Sequence, residues 1–221
     1  VVACIIGFVS YLVSCVAFSF FTPEIGAIVT VIALYTITGL MHLDALSDFA
    51  DGVMAKGERT KKITAMKDVN TGIAGIFSIL IILILTFYSV KLLGASTGSK
   101  IIFGYEIPRY RLGSALIVSE LSAKLSMNTC ILLGRKIHHG IGAIFIEHSS
   151  IAKYCIATAL AIGIGFLLVN LYFVVVLVGV TVGVIVVGIA NKNFGGVSGD
   201  VVGASNELAR IATLLIFTVT L

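Results

Sequence analysis

Long apolar runs, separated by short polar connections, divide the chain into seven stretches that each approach the length of a membrane crossing. About 20 consecutive apolar residues cross the ~30 Å hydrocarbon core as a helix. The predicted spans are Val1–Phe21, Ile25–Leu43, Gly72–Leu93, Leu112–Leu133, Ile151–Val169, Leu171–Ala190 and Glu207–Leu221. The run from Ile151 to Ala190 is too long for one crossing, so we divide it at Asn170. The pattern predicts an all-α, polytopic transmembrane bundle of about seven helices, forming one domain over residues 1–221.

Composition supports the same class. Of the 221 residues, 58% are hydrophobic and 12% are charged, and the mean hydropathy is +1.12. A soluble core of this size cannot bury so much apolar sequence, and continuous runs differ from the alternating strands of a membrane barrel. No basic segment precedes the first span, so we interpret it as a membrane helix rather than a signal peptide, and the chain as trimmed before Val1.

Basic residues in the connections predict the orientation. On one side, the connections and their flanks carry nine: Lys56, Arg59, Lys61, Lys62, Lys67, Arg135, Lys136, Lys153 and Lys192. The other side has four: Lys91, Lys100, Arg109 and Arg111. The positive-inside rule puts the first side in the cytoplasm, and we expect the plasma membrane. The net charge of +4 fits lipid headgroups or a polyanionic substrate, and does not suggest a nucleic-acid partner.

Most acidic residues fall on this same side, and the densest group lies in Gly39–Gly52. Asp44, Asp48 and Asp51 are spaced i, i+4 and i+7, which places them within roughly a 60° arc of one helical face. Three carboxylates on one face repel one another, so the stripe favours a bound cation. Mg²⁺ and Mn²⁺ are the natural candidates, because both take oxygen ligands and bridge to substrate phosphates. The alternative is a solvated acidic helix beside the membrane.

A second candidate segment, Met66–Gly75, precedes the third span. It carries Asp68, and Gly72 and Gly75 allow close backbone approach where the helix dipole favours an anion. The simpler alternative is a capped helix start with small packing residues.

The third candidate segment is glycine-rich and runs from Phe194 to Glu207. A glycine-rich turn before a helix N-terminus can hold an anion. Asp200 follows the turn, and Glu207 lies seven residues later on the same predicted face. A plain capping role for Asp200 is the alternative.

The three segments together resemble the cobalamin synthase family, the adenosylcobinamide-GDP ribazoletransferases. The pattern H-L-D-x-L-x-D-x-x-D-G is matched by His42, Leu43, Asp44, Leu46, Asp48, Asp51 and Gly52. The pattern M-K-D-x-x-x-G-x-x-G is matched by Met66, Lys67, Asp68, Gly72 and Gly75. The pattern G-G-x-T-G-D-x-x-G-A is matched by Gly195, Gly196, Gly199, Asp200, Gly203 and Ala204. Two positions depart from the usual family sequence. Ser198 replaces the usual threonine of the third pattern, and Asn70, in the second, stands where many members carry arginine.

The resemblance implies an enzyme that joins adenosylcobinamide-GDP to α-ribazole or its 5′-phosphate and releases GMP, with Mg²⁺ as cofactor. The residues expected to act in catalysis and hold the metal are Asp44, Asp48, Asp51 and Asp200, with Glu207 as a further metal ligand. The residues expected to bind substrate are His42, Lys61, Lys67, Asp68, Gly72, Gly196, Ser198 and Gly199. Membrane lipids are expected partners, and a homo-oligomer remains open.

Three other functions compete with this interpretation. A CDP-alcohol phosphotransferase would share the carboxylate motif, but the typical D-G-x-x-A-R is absent after Asp51. A secondary transporter would use Glu120 and Lys124 inside the fourth span as its ion site; a structural ion pair is the alternative for these two. The third is a scaffold without enzymatic activity.

Three histidines of the predicted cytoplasmic side are expected to be peripheral to the site: His138, His139 and His148. Paired histidines can ligate zinc, but this connection contains no cysteine to complete a zinc site.

Overall fold

The computed structural model describes residues 1–95, 100–102, 105–107, 111–137 and 141–219. Its helices are α1 (Val2–Phe20), α2 (Pro23–Ile37), α3 (Met41–Met54), α4 (Arg59–Met66), α5 (Ile73–Ala95), α6 (Arg111–Leu133), α7 (Ile141–Glu147), α8 (Ile151–Val169), α9 (Val178–Asn193) and α10 (Gly199–Val219). A 3-10 segment, Asn170–Leu177, joins α8 to α9. A short antiparallel hairpin, β1 (Lys100–Ile102) with β2 (Tyr105–Ile107), lies between α5 and α6.

Several segments are long and apolar enough to cross a membrane, which confirms the all-α polytopic class. There are five among the described residues: α1, α5, Leu112–Leu133, Ile151–Asn193 and α10. A sixth is obtained if α2 and α3, bent by 86°, form one broken span. The predicted second span, Ile25–Leu43, is therefore wrong at its end. The helix stops at Ile37, because Gly39 and Leu40 adopt positive φ values of 66° and 62°.

Within the longest apolar segment, 43 residues from Ile151 to Asn193, the 3-10 segment packs against α8: a β-carbon on Gly165 would lie 2.8 Å from the Val176 side chain. Asn170 leaves the helical conformation with φ 49° and ψ −130°. Beyond this turn, Phe173 stacks edge-on against Phe166 of α8, with ring centroids 6.1 Å apart. The break predicted at Asn170 is confirmed, because α8 ends at Val169 and the chain continues as the 3-10 segment.

Small and hydroxylated residues allow α6 to pack closely against its neighbours at the centre of the bundle. A β-carbon on Gly7 of α1 would lie 2.6 Å from the Cα of Ile117 on α6. On the opposite face, Thr213 of α10 donates a hydrogen bond to the Ser122 hydroxyl at 2.8 Å. Small residues and interhelical hydrogen bonds of this kind bind helices together in lipid, where burial of apolar surface adds little.

The outward faces of the peripheral helices are apolar. Exposed side chains there include Phe8 on α1, Ile32 on α2, Phe77 on α5 and Leu167 on α8. These are the surfaces that hydrocarbon chains would cover.

The connections that carry the three candidate segments meet at one end of the bundle. Arg59 of α4 donates to the Asn191 carbonyl at the end of α9 (3.4 Å). The Val197 N–H donates to the Arg135 carbonyl (2.7 Å), within a parallel bridge between the two connections. The sequence prediction that these segments share one side is therefore confirmed.

Candidate functional site

The three acids of the first segment lie on one helix, as their spacing predicted. Asp44 on α3 is exposed, and Asp48 and Asp51 are half-buried. Leu46 and Phe49 point into the core. The apolar face of α3 therefore anchors the helix while the acidic face remains accessible.

α3 runs antiparallel to α10, and glycine allows the two backbones to approach closely. A β-carbon on Gly203 would overlap that of Ala45 on α3. Tyr35, which precedes α3, donates a hydrogen bond to Glu207, further along α10 (3.1 Å). Because later positions on α3 face earlier positions on α10, the middle of α3 lies beside the start of α10.

This pairing brings Asp200 to the acidic face of α3. Asp44, Asp200 and Asp51 all lie close enough to act electrostatically on Asp48. The distant fourth acid predicted from the glycine-rich segment thus joins the other three in space.

Asp51 has a structural role that the sequence did not predict. It accepts hydrogen bonds from the N–H groups of Gly72 (2.7 Å) and Gly75 (2.8 Å) at the start of α5. A carboxylate at this position satisfies free N–H groups and complements the helix dipole. The N–H groups of Gly72 and Gly75 therefore dock α3 onto α5 through Asp51, and a substrate contact by Gly72 stays a prediction.

The glycine-rich turn is held mostly by its own chain. Ser198 accepts a hydrogen bond from the Val201 N–H (3.4 Å) and donates to Asp200 (3.2 Å), so it caps α10. A β-carbon on Gly196 would overlap the Arg135 carbonyl. Backbone packing therefore explains Gly196 and helix capping explains Ser198, while a substrate contact by either stays a prediction.

Gly199, the first residue of α10, lies under another backbone. A β-carbon on Gly142 of α7 would come within 2.7 Å of the Gly199 nitrogen. The start of α10 is therefore partly covered, and a substrate contact by Gly199 also stays a prediction.

The basic residues between the first two candidate segments form a basic cluster, which separates into anchored and exposed side chains; its members are Lys56, Arg59, Lys61, Lys62 and Lys67. Lys62 donates to the Val53 carbonyl (2.7 Å), and Arg59 reaches the end of α9. Lys61 and Lys67 are exposed. These two remain available for a ligand, as predicted.

Asp68 forms a local turn rather than facing the other acids. It accepts hydrogen bonds from the Asn70 backbone N–H (2.9 Å) and the Asn70 side chain (3.1 Å). These bonds, the backbone one first, lower the pKa of Asp68. The turn also accounts for Asn70, and a substrate role for Asp68 stays a prediction.

Glu207, predicted as a further metal ligand, belongs to a buried ion network, and its role toward a metal stays a prediction. Arg210 of α10 donates to both Glu207 oxygens (2.7 Å each) and, from Nε, to Glu120 of α6 (2.5 Å). All three side chains are at most 1% exposed. Sequence reasoning did not single out Arg210, although a charged residue three positions after Glu207 within an apolar span was a usable signal.

Lys124 joins this network to His42. The Lys124 Nζ donates to Asn206 Oδ1 (2.7 Å) and lies 3.3 Å from His42 Nε2. It is also 3.9 Å from Glu120, so the predicted i,i+4 pair exists but is looser than the Arg210 contact. The predicted site residue His42 thus contacts a lysine that the sequence did not connect with it.

Of the peripheral histidines, His138 and His139 lie outside the described residues. His148 is exposed, and its Nδ1 is 2.9 Å from the Ile144 carbonyl. It contacts none of the four clustered acids in the described part of the chain.

Comparison with known proteins identifies the family. The family model described as cobalamin-5-phosphate synthase matches residues 1–218. The chain belongs to this family. It is 38% identical over 191 residues to the adenosylcobinamide-GDP ribazoletransferase of Thermococcus kodakarensis, covering 86% of this chain and 75% of that protein. The protein of the same name from Pyrococcus abyssi is 34% identical over 215 residues, covering 93% and 82%. No solved structure gives a significant match.

Family membership makes the protein a transferase of cobalamin synthesis. The CDP-alcohol phosphotransferase, transporter and scaffold alternatives are set aside accordingly. Glu120, the central residue of the transporter hypothesis, is paired with Arg210 inside the bundle. This pairing agrees with the structural alternative considered for it.

The carboxylates at this site are of the ligand type that Mg²⁺ prefers. Asp44, Asp48 and Asp200 offer carboxylate oxygens, the ligands that Mg²⁺ prefers, and no ion pair to them is found within the described ranges. In that same part of the chain, no three His, Cys, Asp or Glu side chains converge closely enough to hold a metal ion. The acids are therefore neighbours with suitable donors, not an assembled set of ligands.

Proposed function

We propose that the protein transfers the cobinamide phosphate of adenosylcobinamide-GDP to α-ribazole or α-ribazole 5′-phosphate. A ribose hydroxyl forms a new P–O bond to the phosphorus attached to the cobinamide arm. The P–O bond to GMP breaks, GMP leaves, and the hydroxyl proton is released. Curated relatives named adenosylcobinamide-GDP ribazoletransferase support this proposal.

One observation carries the proposal: Asp200 of α10 lies beside Asp48 of α3 at the end of the bundle where the basic cluster also lies. Phosphoryl transfer needs positioning and charge neutralisation more than a protein nucleophile. Clustered carboxylates can hold cations against the diphosphate, and exposed Lys61 and Lys67 can approach its oxygens directly.

Mg²⁺ is proposed as the cofactor, held by Asp44, Asp48 and Asp200. When bound, it would neutralise the phosphate oxygens and stabilise the leaving GMP. Asp51 has one more lone pair on each oxygen beyond those that accept from Gly72 and Gly75. Asp51 can therefore act as a further Mg²⁺ ligand while it keeps both hydrogen bonds to the start of α5.

A carboxylate that is not engaged with metal can accept the proton of the attacking hydroxyl. Asp44 is the most exposed of the α3 acids, so an incoming ribose can approach the acidic face of α3 from its side. The rigid parts of the site are α3, held to α5 through Asp51, and α10, capped by Ser198. Catalysis on such a frame depends on holding both substrates in line.

We propose the plasma membrane as the location, with this end of the bundle in the cytoplasm. The basic residues concentrated there support the orientation, and the apolar faces of the peripheral helices suit lipid contact.

The proposal is tested with protein reconstituted in vesicles and supplied with adenosylcobinamide-GDP and Mg²⁺. One arm adds α-ribazole, one adds its 5′-phosphate, and one adds neither. We expect GMP, measured by chromatography, to appear in step with the corrin product and only when a ribazole is present. Folded protein that releases no GMP in either ribazole arm refutes the activity.

Substitutions connect the activity to the site. Asp48→Asn keeps the size of the side chain and removes its charge, so turnover should fall by orders of magnitude. Glu58→Gln, at an exposed acid just before α4, is the matched control and should turn over like the parent protein.

A further inference from the structure

Lys124 reaches the site from α6, outside the three segments whose motifs carry the family resemblance. Its side chain is 22% exposed, so it is neither solvated nor sealed in the core. The Nζ donates to Asn206 Oδ1 at 2.7 Å and lies 3.3 Å from His42 Nε2. An ammonium group carries three N–H donors. Asn206 takes one of them, and His42 takes a second in the tautomer whose proton is on Nδ1.

The third donor has no hydrogen-bonding acceptor among the described residues. The Glu120 Oε2 is 3.9 Å away, beyond hydrogen-bond range, and forms no hydrogen bond itself. Glu120 is instead held by Arg210 through its other oxygen at 2.5 Å. Lys124 is therefore attracted to Glu120 by charge without donating a hydrogen bond to it.

The position of Lys124 relates it to the phosphate-handling end of the molecule. His42 lies on α3, the helix of the acidic face, and its Nδ1 faces the close crossing of α3 with α10 at Gly203. The exposed cations Lys61 and Lys67 lie on or next to α4, beyond the opposite end of α3. A diphosphate over the acidic face would therefore have lysines at both ends of α3.

We propose that Lys124 binds a phosphate oxygen of the nucleoside diphosphate substrate through its third N–H, with Asn206 and His42 orienting the ammonium group. The inference rests on the proposed function, because it takes adenosylcobinamide-GDP as the ligand. A hydrogen bond from a charged donor to phosphate is among the stronger polar contacts.

A competing role predicts a different response to mutation. Glu120 and Glu207 carry two negative charges and Arg210 one positive charge, so Lys124 could serve only to neutralise the buried network. If so, removing one negative charge should make Lys124 dispensable. If Lys124 contacts phosphate, removing that charge restores the fold and leaves substrate binding impaired.

The experiment compares Lys124→Met, Glu120→Gln and the double variant with the parent protein. Thermal unfolding in detergent reports the fold, and equilibrium dialysis of adenosylcobinamide-GDP, followed by corrin absorbance, reports binding. We expect Lys124→Met to be destabilised and the double variant to regain most of the parent stability. The double variant should still bind adenosylcobinamide-GDP about 10- to 100-fold more weakly, the loss expected for one charged hydrogen bond.

Controls make each outcome decisive. The double variant Glu24→Gln/Lys91→Met removes an ion pair between α2 and α5 and should bind as the parent does. If Glu120→Gln/Lys124→Met fails to fold, Lys124→Arg takes its place. Arginine keeps the charge, but its planar guanidinium group cannot reproduce the three-donor geometry of an ammonium group, so weaker binding is expected.

Substrate affinity within about twofold of the parent in the folded variant tested overturns the Lys124 contact while leaving the proposed function intact. A parent protein that neither binds adenosylcobinamide-GDP nor releases GMP overturns both.

Discussion

The carboxylate of Asp51 on α3 accepts a hydrogen bond from the Gly72 N–H at 2.7 Å, at the start of α5. Its other oxygen accepts from the Gly75 N–H at 2.8 Å. One side chain therefore ties the acidic helix to the next span, across the connection that contains the basic cluster. The same residue belongs to the acidic stripe, so its loss has a structural consequence that the loss of its neighbours does not.

We predict that Asp51→Asn destabilises the protein while Asp48→Asn does not. An asparagine has one accepting oxygen, so one of the two glycine N–H groups loses its partner, and the charge that complements the helix dipole is lost as well. The expected cost is ~1.5–3 kcal/mol, that of a hydrogen bond to a charged group. Asp48→Asn removes repulsion from Asp44, Asp200 and Asp51, so its stability should be equal or higher.

Thermal unfolding of both variants in detergent checks this prediction. Both should lose turnover, and only Asp51→Asn should unfold earlier. Equal midpoints for Asp51→Asn and the parent protein would contradict the docking role of Asp51.

A second prediction concerns the close crossing of α3 and α10. Gly203→Ala places a methyl group onto the Ala45 side chain, so the two helices must separate and Asp200 must move relative to Asp48. We expect turnover to fall at least tenfold, since small displacements of catalytic groups are costly. Gly188→Ala on α9 is the control, because a β-carbon there meets nothing within 4 Å.

If Gly203→Ala retains the parent turnover, the close crossing does not set the geometry of the acids. The control should be neutral or slightly stabilising, since alanine favours helix more than glycine does.

Some features of the fold were predictable from the sequence, and others were not. The stripe Asp44, Asp48 and Asp51 was predictable because helical periodicity alone places the three on one face. The break at Asn170 was predictable because the apolar run exceeds the bilayer thickness. The 86° bend after Ile37 was not, because it depends on two consecutive positive-φ residues, Gly39 and Leu40, inside the run predicted as one span.

The candidate site also has features that were predictable from the sequence and features that were not. The approach of Asp200 to the α3 acids was predictable, because the number of predicted membrane crossings between the two segments puts both at the same end of the bundle. The partners of Glu207 did not follow, because periodicity gives the face of a residue but not the helix that covers that face. Arg210 and Tyr35 occupy that space and pair with Glu207.

A third prediction follows from the ion network. Arg210→Met leaves Glu120 and Glu207 without their closest cation inside the bundle, and breaking a buried pair in this way costs ~3–5 kcal/mol. We expect much lower yield of folded protein and a lower unfolding temperature. Lys192→Met, at an exposed position near the end of α9, should change stability by less than about 0.5 kcal/mol.

Removing the two buried negative charges should restore part of the stability that Arg210→Met loses. The triple variant Arg210→Met/Glu120→Gln/Glu207→Gln removes the opposing charges and should recover part of the lost stability. Failure of Arg210→Met to destabilise the protein would show that the network is dispensable.

A fourth prediction separates the lysines of the basic cluster. Lys61 and Lys67 are exposed, so alanine at either should raise KM for adenosylcobinamide-GDP and leave kcat nearly unchanged, as expected for uniform binding. Lys62 is bonded to the Val53 carbonyl at the end of α3, so Lys62→Ala should act through the position of that helix and lower kcat as well. Steady-state kinetics of the three variants tests this, and a fall in kcat with unchanged KM at Lys61 or Lys67 would contradict the assignment.

The last prediction concerns orientation, for which the structure also selects the probes. Ser47 and Ser198, the two hydroxyl positions on the acidic helix and in the glycine-rich turn, are only 2% and 8% exposed, so a cysteine at either would label poorly on either side. Thr60 on α4 and Lys192 near the end of α9 are exposed at the end that holds the acids, whereas Thr22, between α1 and α2, is exposed at the other.

In a background with Cys4, Cys15, Cys130 and Cys155 replaced by alanine, a membrane-impermeant maleimide added to intact cells should label Thr22→Cys. It should reach Thr60→Cys and Lys192→Cys only after the membrane is opened, because the positive-inside rule places that end in the cytoplasm. Labelling of Thr60→Cys and Lys192→Cys from opposite faces would contradict the shared end, and labelling of both in intact cells would reverse the proposed orientation.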